Sequence, residues 1–127
     1  MKTIYTKNAP KPAGHYSQAI IHNDLVYVSG QLPIDPKSGE KRLGSIEDQT
    51  KQTIENVASI LEACDSSLKN VIKVSVYISD INLWSRVNQV YANYFAEHRP
   101  ARVVIPVKEL HHGFKIEIEA IAAVIPT

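Results

Sequence analysis

Between Val71 and Ile78 apolar and polar residues alternate with a period of two: Ile72, Val74, Val76 and Ile78 on one face, Lys73, Ser75 and Tyr77 on the other. That is the pattern of a strand with one buried face. The same period runs through Ala101–Val107 and Lys115–Val124, two β-branched segments separated by a polar break that holds His111, His112 and Gly113. The chain is therefore expected to close on a long hairpin. Near the start, the apolar runs Ser17–Ile21 and Leu25–Ser29 are joined by His22, Asn23 and Asp24, and Asn and Asp tolerate the positive φ of a tight turn, which predicts a second hairpin. Thr3–Thr6 reads as a short edge strand, followed by an irregular stretch marked by Asn8, Pro10, Pro12 and Gly14. Gly30–Gly44, with Pro33, Pro36 and Gly39 inside it, reads as a surface loop.

Two stretches carry the helical period. Ile46, Thr53, Ile54, Val57, Ile60, Leu61 and Cys64 recur at helical spacing behind Ser45, which has Asp48 three residues on, so a helix is predicted from Ile46 to about Cys64. A second follows Asp80 or Asn82 as cap, with Trp84, Val87, Val90 or Tyr91, and Tyr94 as its buried stripe and Pro100 forbidding continuation. The order β, β, β, α, β, α, β, β has a strand–helix–strand crossover at each helix. With strands advancing in opposite directions from a centre, both helices fall on one face, giving an α+β two-layer sandwich with a mixed sheet of about six strands. The other face would mix Lys73, Ser75, Tyr77, Glu117 and Glu119 with valines, a surface suited to meeting a second copy of the chain in a symmetric oligomer.

The chain's 127 residues, 44% hydrophobic, suit one domain spanning 1–127. A formal charge of +1 from 14 basic and 13 acidic residues, without a basic run, gives no footprint for nucleic acid or a membrane surface. Cys64 is the single cysteine, compatible with a reducing compartment and read as a small buried hydrophobe on the helix stripe. No secretory core, import helix or bilayer-length run is present, which places the protein in the cytosol, with the mitochondrion as the alternative. His111 and His112 are adjacent and lack further ligands at metal spacing, so no metal is expected. Within the last two strands Arg102 shares a face with Val104 and Pro106, and Lys115, Glu117 and Glu119 share another. The hairpin register places Arg102 about opposite Glu117, readable as a cross-strand ion pair or as an anion-binding guanidinium beside a carboxylate that handles protons or water.

NAPKPAGHYSQAI, VSGQLPIDPKSGE, IKVSVYISDINLWSRVNQVYANYF, and PAR followed by KIEIEAIA span nearly the whole chain. In order and spacing they resemble the RidA/YjgF family of reactive-intermediate deaminases. The resemblance implies a chorismate-mutase-like fold and a homotrimer with a pocket at each subunit interface. It also implies hydrolysis of 2-enamino or 2-imino acids such as 2-aminoacrylate to 2-keto acids and ammonia, protecting pyridoxal-phosphate enzymes, with no cofactor. It assigns Arg102 to the substrate carboxylate and Glu117 to the attacking water. Tyr16, Ser29, Gly30 and Asn88 would shape the pocket, with Tyr16 also a candidate catalytic hydrogen-bond donor. The family often has proline where this chain has His15, commonly cysteine where it has Val104, and a leucine–proline turn where it has Leu110, His111, His112 and Gly113. The Val104 backbone N–H remains able to donate to a substrate carboxylate or carbonyl. Two other classes are implied as alternatives: RNA cleavage or translation inhibition, and a carboxylate-binding or chaperone-like module without turnover.

Overall fold

A computed structural model describes residues 1–125. Its strands are β1 (Lys2–Ile4), β2 (Ala19–His22), β3 (Leu25–Gln31), β4 (Val71–Ile78), β5 (Ala101–Pro106) and β6 (Ile116–Ala123); its helices are α1 (Ile46–Ala63) and α2 (Trp84–Phe95). The six strands form one mixed sheet in the order β1-β2-β3-β6-β4-β5, and the two helices cover one face of it. No helix is long and apolar enough to cross a membrane among the described residues.

Local signals formed the elements they predict. Asn23 and Asp24 take φ of 52° and 63° between β2 and β3, the conformation a two-residue hairpin turn requires. The Ser45 hydroxyl accepts from the Asp48 N–H at 3.1 Å and caps α1, satisfying one of the helix's free donors. Ile54, Val57, Ile60 and Leu61 of α1 and Val87, Tyr91 and Phe95 of α2 face Val26, Val28, Val74, Val76, Ile118 and Ala120 across the core. Cys64, at the C-cap of α1, is 2% exposed, and burial pushes its thiol up, away from the reactive thiolate.

Four expectations are corrected. The last two strands are not a hairpin. β5 pairs in parallel with β4 alone, while β6 lies antiparallel between β3 and β4; the alternating pattern specifies a strand but not its neighbour. The crossovers β3-α1-β4 and β4-α2-β5 step across the sheet in the same direction, and crossovers of one hand advancing one way leave their helices on one face. Ile72 is 47% exposed because an extra residue in β4 opposite β6 breaks the alternation and buries Val71 instead. The Gly30–Gly44 loop begins two residues late, since Gly30 and Gln31 still belong to β3.

α2 stops at Ala96, four residues before Pro100, with φ 53° and ψ −120°, a region that a side chain disfavours. Ala96→Gly is expected to stabilise the fold by about 1 kcal/mol, seen as a thermal midpoint raised by a few degrees. A lower midpoint would show that the methyl group's contacts outweigh the strain.

Candidate active site

Arg102 is the second residue of β5 and pairs in register with Val74. Ladder partners share a face of the sheet, and Val74 is buried beneath the helices, so Arg102 projects on the helix side. There its Nη1 donates to Asn88 Oδ1 at 2.9 Å, and its guanidinium carbon lies 4.8 Å from the centre of the Trp84 ring and 4.7 Å from that of Tyr91. Among the described residues no carboxylate pairs with it. Asn88, Tyr91, Phe95, His98, Arg99 and Arg102 line a cleft of about 530 Å³. The Val107 N–H donates to Ile78 O at 2.8 Å. Strand alternation then turns the backbone of Arg102 and Val104 toward the free edge of the sheet. Pro106, with no N–H to offer, occupies the next such position.

Glu117 pairs in register with Tyr77 and projects on the open face. Above it β3 carries one residue more than β6 between Val28 and Gln31, a bulge that re-aims the backbone at Ser29 and Gly30. The Ser29 hydroxyl donates to Ser17 O at 2.6 Å and fixes the bulge to the segment bearing Tyr16. Gly30 lies directly on the Glu117 carboxylate, and a Cβ at Gly30 would displace it, so glycine leaves the carboxylate in its place. Tyr16, 52% exposed, lines a cleft of about 390 Å³ together with Lys11, Gly30, Gln31, His111 and His112.

Three buried amides brace this half. Gln18 accepts from the Thr6 N–H at 2.7 Å and donates to Thr6, Ala9 and Pro10 carbonyls. Gln49 on α1 donates to Gly44 O and accepts from the Lys115 N–H, tying the helix to the start of β6. Asn56 donates to Leu32 and Ile34 carbonyls.

Glu117 and Glu119 share a face, but their environments differ. Glu119 accepts from the Tyr77 hydroxyl at 2.9 Å. Glu117 has no hydrogen-bond partner among the described residues; burial pushes its carboxyl above its ordinary value, the nearby His111 ring pulls it back and Glu119 adds to the rise. A carboxyl raised by folding contributes stability while protonated and loses it as pH rises through the folded-state pKa. Glu117→Gln is accordingly expected to raise the thermal midpoint at pH 7 and to leave it unchanged below about pH 3.5. Equal shifts at both pH values would mean that the ionised carboxylate does not destabilise the fold.

Two groups of sequence-predicted residues are thus assembled separately. Arg102, Asn88 and Val104 gather at α2 and β5, and Tyr16, Ser29, Gly30 and Glu117 gather at β3, β6 and the first loop. The expected juxtaposition of Arg102 with Glu117 is overturned, because the inserted β4 separates their strands and opposite parity sends them to opposite faces. Trp84, expected in the core, is 36% exposed and flanks the guanidinium. Its spacing of four to Asn88 and seven to Tyr91 was the available signal. His111 beside Glu117 could be reached from sequence only as a turn residue.

Residues 6–124 match the family model described as Endoribonuclease L-PSP. The chain is 53% identical over 121 residues to a RutC family protein of Pyrococcus horikoshii, covering 95% of this chain and 96% of that one. It is 42% identical over 121 residues to the 2-iminobutanoate/2-iminopropanoate deaminase of Rattus norvegicus, covering 95% and 88% respectively. Among solved structures it superposes on a putative endoribonuclease of Thermotoga maritima with a TM-score of 0.95 at 45% identity, covering 99% of both chains. It superposes on E. coli TdcF with bound serine with a TM-score of 0.92 at 37% identity, covering 97% of this chain and 98% of that one. With the family model matched over residues 6–124 and a solved structure superposing at a TM-score of 0.95 over 99% of both chains, this chain belongs to the Endoribonuclease L-PSP family, the RidA/YjgF proteins.

Proposed function

We propose that the protein hydrolyses 2-imino acids, formed from 2-enamino acids such as 2-aminoacrylate, to 2-keto acids and ammonia, working as a homotrimer with its sites between subunits. The observation that carries the reading is the Arg102 fork, fixed by Asn88 at 2.9 Å and paired with no carboxylate among the described residues. A planar set of N–H donors matches a carboxylate in two parallel bonds. The name of the rat relative supports this substrate class, and serine bound to TdcF is a small amino acid with the same carboxylate.

Protonation of an enamine at carbon gives the imine. Water then adds to the imine carbon, and the C–N bond of the adduct breaks to release ammonia and the keto acid. Arg102 holds the carboxylate and withdraws electron density from the imine carbon. Glu117, half-buried and raised by burial, takes the proton of the attacking water and returns one to the leaving nitrogen. Tyr16 hydrogen-bonds the adduct, Ser29 and Gly30 hold the bulge over Glu117, and the Val104 N–H faces the substrate at the sheet edge. Since one chain presents Arg102 and Glu117 on opposite faces, a neighbouring copy brings the second group to the first.

The test is to generate the enamine in situ with a serine or threonine dehydratase and follow keto-acid formation with and without the purified protein. Acceleration supports the reading. No acceleration with either dehydratase overturns it in favour of a carboxylate-binding module. RNA cleavage, which the family model's description suggests, has little support in a chain of net charge +1.

A further inference from the structure

Trp84, Asn88 and Tyr91 stand at i, i+4 and i+7 on one face of α2. Two helical turns separate the outer pair by about 10.5 Å along the axis, enough for a flat cation to lie between two rings. Arg102 from β5 fills that interval, 4.8 Å from the Trp84 ring centre and 4.7 Å from that of Tyr91, with Nη1 on Asn88. The rings are not equivalent. Tyr91 is 6% exposed and stacks on Phe95 at 4.4 Å, and its buried hydroxyl, close to the Arg102 guanidinium, completes no well-formed hydrogen bond among the described residues. Trp84, at the first residue of the helix, has no such backing and keeps 36% of its surface open. What the geometry records between Tyr91 and Arg102 is the guanidinium over the face of the ring.

We propose that Trp84 and Tyr91 are positioning residues that clamp the Arg102 guanidinium between their rings, so that its free N–H edge is aligned for the substrate carboxylate before the substrate arrives. The inference rests on Arg102 as the carboxylate anchor. A cation between rings keeps its in-plane donors free, because the attraction uses the faces of the plane and leaves its edges. A long side chain already ordered loses less entropy on binding, so the clamp lowers KM for a carboxylate and leaves the chemical step nearly untouched.

The experiment compares Trp84→Ala and Trp84→Phe with wild type in the dehydratase-coupled assay and titrates each with 2-oxobutyrate by calorimetry. Trp84→Ala is expected to raise KM and the 2-oxobutyrate Kd about fivefold with kcat within about twofold, and Trp84→Phe to recover most of both. Tyr91→Leu, checked for folding by its thermal midpoint, should reproduce the rise in KM, and Tyr91→Phe, which keeps the ring, should recover it. Trp84 is the single tryptophan, so 2-oxobutyrate should change the intrinsic fluorescence of wild type and not of Arg102→Ala. Unchanged KM and Kd in Trp84→Ala, or a fall in kcat alone, overturns the clamp. If wild type shows no turnover, the imine-hydrolysis reading falls, and the calorimetric Kd of Trp84→Ala alone decides the clamp.

Discussion

Arg102→Ala and Glu117→Ala are each expected to lose at least 10²-fold in kcat/KM, and an equimolar mixture of the two, unfolded together and refolded, to regain about a quarter of wild-type turnover. The first loss follows from removing two charge-assisted hydrogen bonds to the substrate carboxylate, about 3–4 kcal/mol in all. Arg102→Lys should not restore it, since an ammonium cannot present a planar pair of donors or lie between two rings. The second follows from removing the group that handles the water's proton. The recovery follows from the sheet. With Arg102 on the helix face and Glu117 on the open face of one chain, the proposed site takes one residue from each of two copies. For the proposed homotrimer, about three-quarters of the assemblies in a random mixture contain both variants, and each such ring has one junction at which both intact residues meet. Turnover of the mixture no higher than that of either variant alone would place both residues of a site in one chain and remove the intersubunit arrangement.

Gly30→Ala is expected to abolish most activity while leaving the protein folded. The added methyl group occupies the space of the Glu117 carboxylate, and the carboxylate, being the far end of a flexible side chain, yields before the backbone does. A shift of about 1 Å in a group that must meet a bound water costs on the order of 10²-fold, whereas overpacking relieved by a side-chain rotation costs about 1 kcal/mol, the low end of its usual range. The two effects separate in a double-mutant cycle: in a Glu117→Ala background the stability cost of Gly30→Ala should vanish. A cost that persists there would locate the strain in the β3 bulge, not at the carboxylate.

What could be read from sequence was what a few neighbouring residues decide. Asn23 and Asp24 specify their turn, Ser45 its cap, and the alternation of Val71–Ile78 its strand, each through contacts within a few positions. Pairing is not decided that way. Nothing in Ala101–Val107 distinguishes a partner downstream from β4 upstream, and so the strands of Arg102 and Glu117 were placed side by side when β4 lies between them. The bulges are equally silent, because one extra residue in β3 or β4 shifts register without altering composition. Trp84 satisfies the helical period whether it covers the core or a guanidinium; only the position of β5 tells the two apart. Strand parity singles out Arg102 and Glu117; Tyr16, Ser29, Gly30 and Asn88 come from family resemblance, which carries residue types across without saying which of them meet within one chain.

The edge strand β5 has a consequence beyond substrate binding. A sheet margin that turns backbone donors outward is also a template on which any extended peptide could add itself as a seventh strand. Pro106 interrupts that template after Arg102 and Val104, and the opposite margin, β1, is only three residues long and begins with Lys2. Both margins thus offer little unbroken backbone for an extended peptide to pair with.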